Sequence, residues 1–285
     1  MKLARVGSVG NEIPVLIGSD NVARSLVGVI DDVAGAALSP ETIKRLAQLD
    51  IKSLPIVESP ERYGACVKEP SQVICVGLNY AQHAKESGMD IPKEPILFMK
   101  SPSSICGAND DVIMPRNAKK VDWEVELGIV IGSRCSYVDE SEANHYIAGF
   151  CLANDLSERA FQLEGTGQWV KGKSADTFGP IGPWLVTKDE LPNIHASNLW
   201  LNVNDEKMQA SNTSDMIFTL EFLVSYISQY MTLQPGDIIL TGTPFGVGLG
   251  LTPPRYLKEG DRMELGVDGL GVQRQKTVPW RLAEW

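Results

Sequence analysis

Between Val121 and Val130 apolar and acidic residues alternate: Val121, Trp123, Val125, Leu127 and Ile129 are separated at first by Asp122, Glu124 and Glu126. A period of two is the signature of a strand, and it puts the three acids on one face. Glu124 and Glu126 then lie about 7 Å apart along that face. Two bare charges at that separation repel by about 2 kcal/mol at an effective dielectric of about 20. Two arrangements offset the repulsion. Either the acidic face is solvated, as in many half-buried antiparallel sheets, or the two carboxylates converge on one oxygen-preferring cation. Any fold for this chain must therefore supply water or a cation along one row of a strand whose other row is core.

Three further segments carry polar residues in places suited to chemistry. The apolar run Tyr146–Ala153 ends abruptly in Asn154-Asp155, which sets an acid at a strand end; alternatively, Asp155 or Ser157 caps a following helix. In Gly77-Leu-Asn-Tyr-Ala-Gln-His-Ala-Lys-Glu86, His83 and Glu86 stand three apart, side by side if the segment is helical. A lone histidine is more often structural, but one beside a carboxylate can serve as a general base. Around Gly172-Lys173-Ser174, glycines and lysines suit either a loop near an anion or a solvated turn. Gly246, Gly248 and Gly250 look like a fragment of a nucleotide loop, yet they follow Pro244 and open no helical pattern, so they read as a turn.

Composition narrows the class. A chain of 285 residues with 43% hydrophobic content can bury one large core, or one core with a small appendage. A net charge of −10 without a basic block argues against nucleic-acid or anionic-membrane partners. No window approaches the roughly 18 apolar residues of a membrane span, and the start lacks a signal-type apolar stretch, so a cytoplasmic location is expected. Cys66, Cys75, Cys106, Cys135 and Cys151 form no C-x-x-C pair and read as reduced thiols. With His83, His145 and His195 alone, a histidine-rich metal site is not expected, and neither H-E-x-x-H nor G-x-S-x-G occurs.

Along the chain, Val15–Ile17 and Leu26–Ile30 are short apolar runs around a turn at Gly18–Asn21, and Ser39-Pro40-Glu41 opens a helix reaching Ala47. Pro55, Pro60 and Pro70 punctuate a polar stretch before a buried strand at Val73–Gly77. A boundary is expected near residue 68, giving a small N-terminal α+β domain over 1–68 and a larger domain over 69–285. Strands are expected at Val125–Ile131, Tyr146–Ala153, Leu199–Val203, Ile238–Thr241 and Arg262–Gly266.

From about residue 70 onward the chain resembles the fumarylacetoacetate hydrolase family. The likeness rests on Gly77-x-Asn79-Tyr80-x-x-His83-x-x-Glu86, Glu124-x-Glu126, Asn154-Asp155-x-Ser157 continuing to Gln162, Gly172-Lys173-Ser174, and Thr241-Gly-Thr-Pro244. The resemblance implies an α+β, mainly β fold, a mixed β-sandwich roll behind a small N-terminal domain. It implies Glu124, Glu126 and Asp155 as ligands of Mg2+, with Mn2+ a possible substitute. Lys173 would stabilise developing negative charge, Gln162 and Thr243 would bind substrate, and Lys100 is a further candidate for the pocket. His83 and Glu86 would activate water.

The implied substrates are acylpyruvates and related 2-keto acids, and the implied assembly is a homodimer or higher homo-oligomer. The stretch Gly167–Trp184 resembles a bacterial branch often labelled ureidoglycolate lyase or sugar-acid hydrolase. It points to 2,4-diketo-3-deoxy-L-rhamnonate, cleaved to pyruvate and an acid such as L-lactate. Ureidoglycolate lyase, 2-hydroxyhepta-2,4-diene-1,7-dioate isomerase and oxaloacetate decarboxylase chemistries share such a site, and a ligand-binding protein without turnover is the non-enzyme alternative. A closed structural metal site would usually draw on Cys or His. The segment from His83 to Pro95, with Gly88 and Pro92, has the makings of a lid.

Overall fold

In the computed structural model, which describes residues 1–86 and 88–280, the chain is mainly β with a few short helices. The last five residues of the expected 69–285 domain lie outside the described residues, as does Ser87 of the expected lid. An eleven-stranded sheet runs from Ala23–Ser25 through Ile13–Ile17, Lys2–Val6, Leu185–Thr187, Ile147–Asn154, Val125–Ile131, Ile238–Leu240 and Val73–Gly77 to Ile96–Lys100. Gly179–Ile181 and Ile105–Gly107 branch from it at Ile147–Asn154. A five-stranded sheet orders Glu206–Asn212, Asn198–Val203, Arg262–Val267, Gly271–Pro279 and Val112–Met114. Pairing is antiparallel except where Val73–Gly77 meets Ile238–Leu240, Ile105–Gly107 meets Gly179–Ile181, and Val112–Met114 meets Gly271–Pro279.

The strand Val125–Ile131 sits in the middle of the large sheet and is covered on both faces. Its odd residues, Val125, Leu127, Ile129 and Ile131, pack in one core with Leu199, Leu201, Met263 and Leu265 of the five-stranded sheet. Val130, on the even row, joins a second core with Leu3, Leu16, Leu26, Leu38 and Val67 of the N-terminal segment. That segment also extends the large sheet, Lys2 and Leu3 pairing with Val186 and Leu185. The boundary expected near residue 68 falls in the irregular stretch between Ile51–Ser53 and Val73–Gly77. The even row carries Glu126 at its other end, so the acids face buried protein rather than solvent.

Several expected elements shift. The stretch from Val121 is two strands: Val121–Asp122 pairs with Ser157–Glu158, and Val125–Ile131 pairs with Ile147–Asn154. Between them the amides of Trp123, Glu124 and Val125 turn to the side chains of Asp122, Asn154 and Gln209, which replaces ladder bonds and breaks the strand. The strand expected from Tyr146 starts at Ile147, because Tyr146 closes a 3-10 helix begun at Glu140. Leu26–Ile30 is a turn, with the amides of Val29 and Ile30 both bonded to the carbonyl of Leu26, and the strand precedes it at Ala23–Ser25. The helix Pro40–Leu46 forms as expected, capped by the Ser39 hydroxyl on the Thr42 amide. No helix among the described residues is long and apolar enough to cross a membrane.

Close approach at Gly149 sets the spacing of the central strands: a Cβ there would stand 2.2 Å from the backbone oxygen of Val186. Gly149→Ala is therefore expected to destabilise the fold by about 1–3 kcal/mol, seen as a melting temperature lower by several degrees. An unchanged melting temperature would contradict this strand spacing.

Candidate active site

Register brings the acids together. Glu126 pairs with Ala153 and Val125 with Asn154, so the next residue on each side, Glu124 and Asp155, are neighbours, and the Asp155 amide donates to the Glu124 carbonyl at 2.9 Å. Carboxylate oxygens of Glu124, Glu126 and Asp155 all lie within 4.8 Å of one another, and the three residues are 4%, 2% and 0% exposed. This excludes the solvated-face arrangement. The helix-cap alternative for Asp155 and Ser157 also falls away: the short helix Arg159–Leu163 is capped by Glu158, whose carboxylate accepts from the Phe161 amide.

Burying three carboxylates demands compensation, since an unpaired buried charge is strongly unfavourable. Lys173, in the short helix Val170–Lys173 rather than a solvated turn, sends its ammonium between two of them, 2.8 Å from Glu124 and 2.7 Å from Asp155. Lys100 donates to the other Asp155 oxygen at 2.5 Å and to the Leu156 carbonyl at 3.1 Å. Arg159 reaches Glu124 at 2.7 Å and donates to the Gln162 amide oxygen at 3.0 Å. For Glu124, burial disfavours the charge, but Lys173 and Arg159 outweigh it and hold its carboxyl below the usual range. For Lys173, burial works against the ammonium, and Asp155 and Glu124 overcome it, so its pKa lies above the usual lysine range.

Glu126 is the exception. Its recorded donor is the Gly242 amide at 2.8 Å, and burial, followed by the charges of Asp155 and Glu124, pushes its carboxyl well above the ordinary range. The Lys173 charge and the Gly242 amide act in the opposite direction and offset only part of that rise. An all-oxygen donor set whose atoms converge fits a hard divalent ion and could hold one through Glu124, Glu126 and Asp155.

His83 and Glu86 lie on the helix Ala81–Glu86 as the spacing predicted, with His83 Nδ1 2.8 Å from Glu86 Oε1. The Glu86 carboxylate also accepts from the Gly246 amide at 2.9 and 3.1 Å. A cavity of about 110 Å³ opens in front of Glu124 and Glu126, and His83, Gln162, Lys173 and Thr243 also line it, whereas Asp155 is wholly buried and does not. The Thr243 hydroxyl donates to the Val125 carbonyl at 3.0 Å and accepts from Gln209 at 2.8 Å, so its proton is already committed. Lys100 lies behind Asp155 and is not among the lining residues.

Sequence reasoning passed over Arg159, although it stands three residues before Gln162 and is a rare cation in an acid-rich stretch. It also missed the wall formed by Phe98 and Trp169, whose rings meet edge-on at 5.2 Å. The signal for Trp169 was Gly77: a Cβ there would come within 2.8 Å of the indole.

Comparison with known proteins identifies the family. Residues 72–278 match the model of the fumarylacetoacetate (FAA) hydrolase C-terminal family. A protein of Burkholderia multivorans named only as a hydrolase, with no substrate given, is 52% identical over 278 residues, covering 97% of this chain and 99% of the relative. Two solved structures superpose over nearly the whole length. A probable 2-hydroxyhepta-2,4-diene-1,7-dioate isomerase of Mycobacterium abscessus is 35% identical with a TM-score of 0.82, covering 99% of this chain and 100% of the other. The fumarylacetoacetate hydrolase of Exiguobacterium antarcticum is 30% identical with a TM-score of 0.83, covering 98% and 100%. With the family model matched over residues 72–278 and the fold shared over nearly the whole length, this chain belongs to the fumarylacetoacetate hydrolase family.

Proposed function

We propose that the protein hydrolyses the C3–C4 bond of a 2,4-diketo acid, releasing pyruvate and a carboxylic acid. The observation that carries this reading is the shared cavity, lined by the His83 of a His83–Glu86 pair together with Glu124, Glu126 and Lys173, with Asp155 completing the buried acid cluster without lining the cavity. A 2-keto acid has adjacent keto and carboxylate oxygens that suit a hard cation. We assign Mg2+ to Glu124, Glu126 and Asp155, with Mn2+ as a substitute, because the donor set is all oxygen. When bound, the ion would supply fixed positive charge beside the 2-keto oxygen, where negative charge grows as the bond breaks.

The chain's own residues do the rest. With Nδ1 of His83 turned to Glu86, Nε2 is the ring nitrogen left to take a proton from water. Glu86, fixed by the Gly246 amide, orients the ring and stabilises the imidazolium. The water oxygen bonds to C4, the C3–C4 bond breaks, and its electron pair stays on C3 as the enolate of pyruvate. C4 departs as the carboxylic acid, and the proton held by His83 returns to C3. The Lys173 ammonium, lining the same cavity, offsets the enolate charge.

Leu78, Met89, Phe98, Leu163, Trp169 and Leu249 give the cavity its apolar wall surface. A lactoyl tail, as in 2,4-diketo-3-deoxy-L-rhamnonate, ends in a methyl group and carries a single hydroxyl. The methyl suits that wall, and the Gln162 amide is at hand for the hydroxyl. A cytoplasmic location belongs to this reading through the charge and hydropathy of the sequence, and a homodimer or higher homo-oligomer through the family resemblance. A second reading, double-bond isomerisation, is favoured by the likeness to the probable isomerase of Mycobacterium abscessus. The same histidine would then move a proton between carbons without attack by water.

Three outcomes are expected. Pyruvate should be released from acylpyruvates with Mg2+ and cease with a chelator; conversion of a hydroxydienoate without cleavage, and no pyruvate from any diketo acid, would establish the isomerase instead. His83→Ala should lower kcat by at least about 100-fold while calorimetric Mn2+ affinity stays unchanged; retained turnover would mean another base. Asp155→Asn should weaken Mn2+ binding by more than about tenfold, and unaltered binding would place the ion elsewhere.

A further inference from the structure

The glycines at 246, 248 and 250 have a use that their sequence pattern did not reveal. Backbone amides of this loop point in two directions. That of Gly246 donates to Glu86, whereas those of Gly248 and Leu249 donate to Asp122 Oδ1 and Oδ2 at 2.6 and 2.9 Å. Asp122 is wholly buried and also accepts from the Trp123 amide on Oδ1 at 2.8 Å and from Arg159 Nε on Oδ2 at 2.9 Å. Each oxygen thus takes two donors, and only an ionised carboxylate has four acceptor sites and no hydrogen to donate. Arg159 continues to Glu124 at 2.7 Å, and the Trp123 indole N–H donates to the Gly246 carbonyl at 3.0 Å. The loop cannot sit this close with side chains: a Cβ on Gly248 would lie 1.9 Å from the Arg255 carbonyl oxygen, and one on Gly250 2.6 Å from the Glu86 carboxylate.

We infer that Asp122 is a positioning residue that holds the His83–Glu86 pair and the cation-binding carboxylates in one frame, through the Gly246–Gly250 loop on one side and Arg159 on the other. The inference rests on the roles given above to His83 and Glu86. Asp122 lines no part of the cavity and touches no reacting atom; it acts on Glu86 through Gly246 and on Glu124 through Arg159. Replacing it by Asn turns an NH2 group toward two N–H donors, so either the loop or Arg159 must move.

Asp122→Asn is tested in the full chain with two readouts that need no substrate. Mn2+ affinity, measured by calorimetry, should fall by roughly tenfold to a hundredfold, the range for partners that orient metal ligands. In NMR spectra, which contain only the imidazoles of His83, His145 and His195, the His83 resonances should shift while the other two stay. With a diketo acid that the wild type turns over, kcat should fall more than KM rises, and the loss should largely vanish in a Glu86→Gln background. A folded variant with wild-type Mn2+ affinity and unmoved His83 signals would overturn the inference, whether or not hydrolysis is the reaction. Should Asn prevent folding, Asp122→Ser, smaller and still an acceptor, carries the same test with the same two outcomes.

Discussion

Three carboxylates share one buried pocket, and much of the surrounding structure answers their charge. Removing an ion from water costs several kcal/mol even after relaxation, so the acids persist only because positive groups come with them. Lys173, Lys100 and Arg159 are each nearly inaccessible to solvent, and each lies against Glu124 or Asp155. These cations come from separate parts of the chain: Lys100 ends an edge strand, Arg159 begins a short helix, and Lys173 closes another. The cluster is therefore also a clasp on the fold.

Side-chain amides extend that clasp into the sandwich interface. Gln209, from the five-stranded sheet, accepts from the Val125 amide and donates to Thr243 and to the Pro244 carbonyl. Gln275, from the same sheet, accepts from Asn154, which in turn accepts from the Glu124 amide. Buried polar groups of this kind are tolerated when every partner is present, and they specify one arrangement of the sheets. Here they hold the backbone where the strand from Val121 breaks, which turns Glu124 toward Asp155 and Lys173.

Much of this was legible beforehand. The period of two assigned Val125–Ile131 correctly, the spacing of His83 and Glu86 set them side by side on a helix, and Ser39-Pro40 announced its helix. What local pattern missed was decided by where backbone amides find their acceptors, in side chains or in nearby carbonyls. The break at Trp123–Glu124 depends on Asn154 and Gln209, far along the chain, and the run Leu26–Ile30 is a turn that buries Leu26 and Ile30 while leaving Val27 62% exposed.

Sequence alone determined that acids alternate with core residues, that a histidine sits one helical turn from a carboxylate, and that neither thiols nor imidazoles could dominate a metal site. Those properties are local, set by the two periodicities of the backbone and by the inventory of side chains. Tertiary structure decided which acids meet, which lysines neutralise them, and why burial beside Asp155 and Glu124 raises the Glu126 carboxyl. Those outcomes depend on strand register and on contacts between residues as many as 160 positions apart, such as Glu86 with Gly246; no short-range pattern encodes them, because their energy is realised only when both cores are closed.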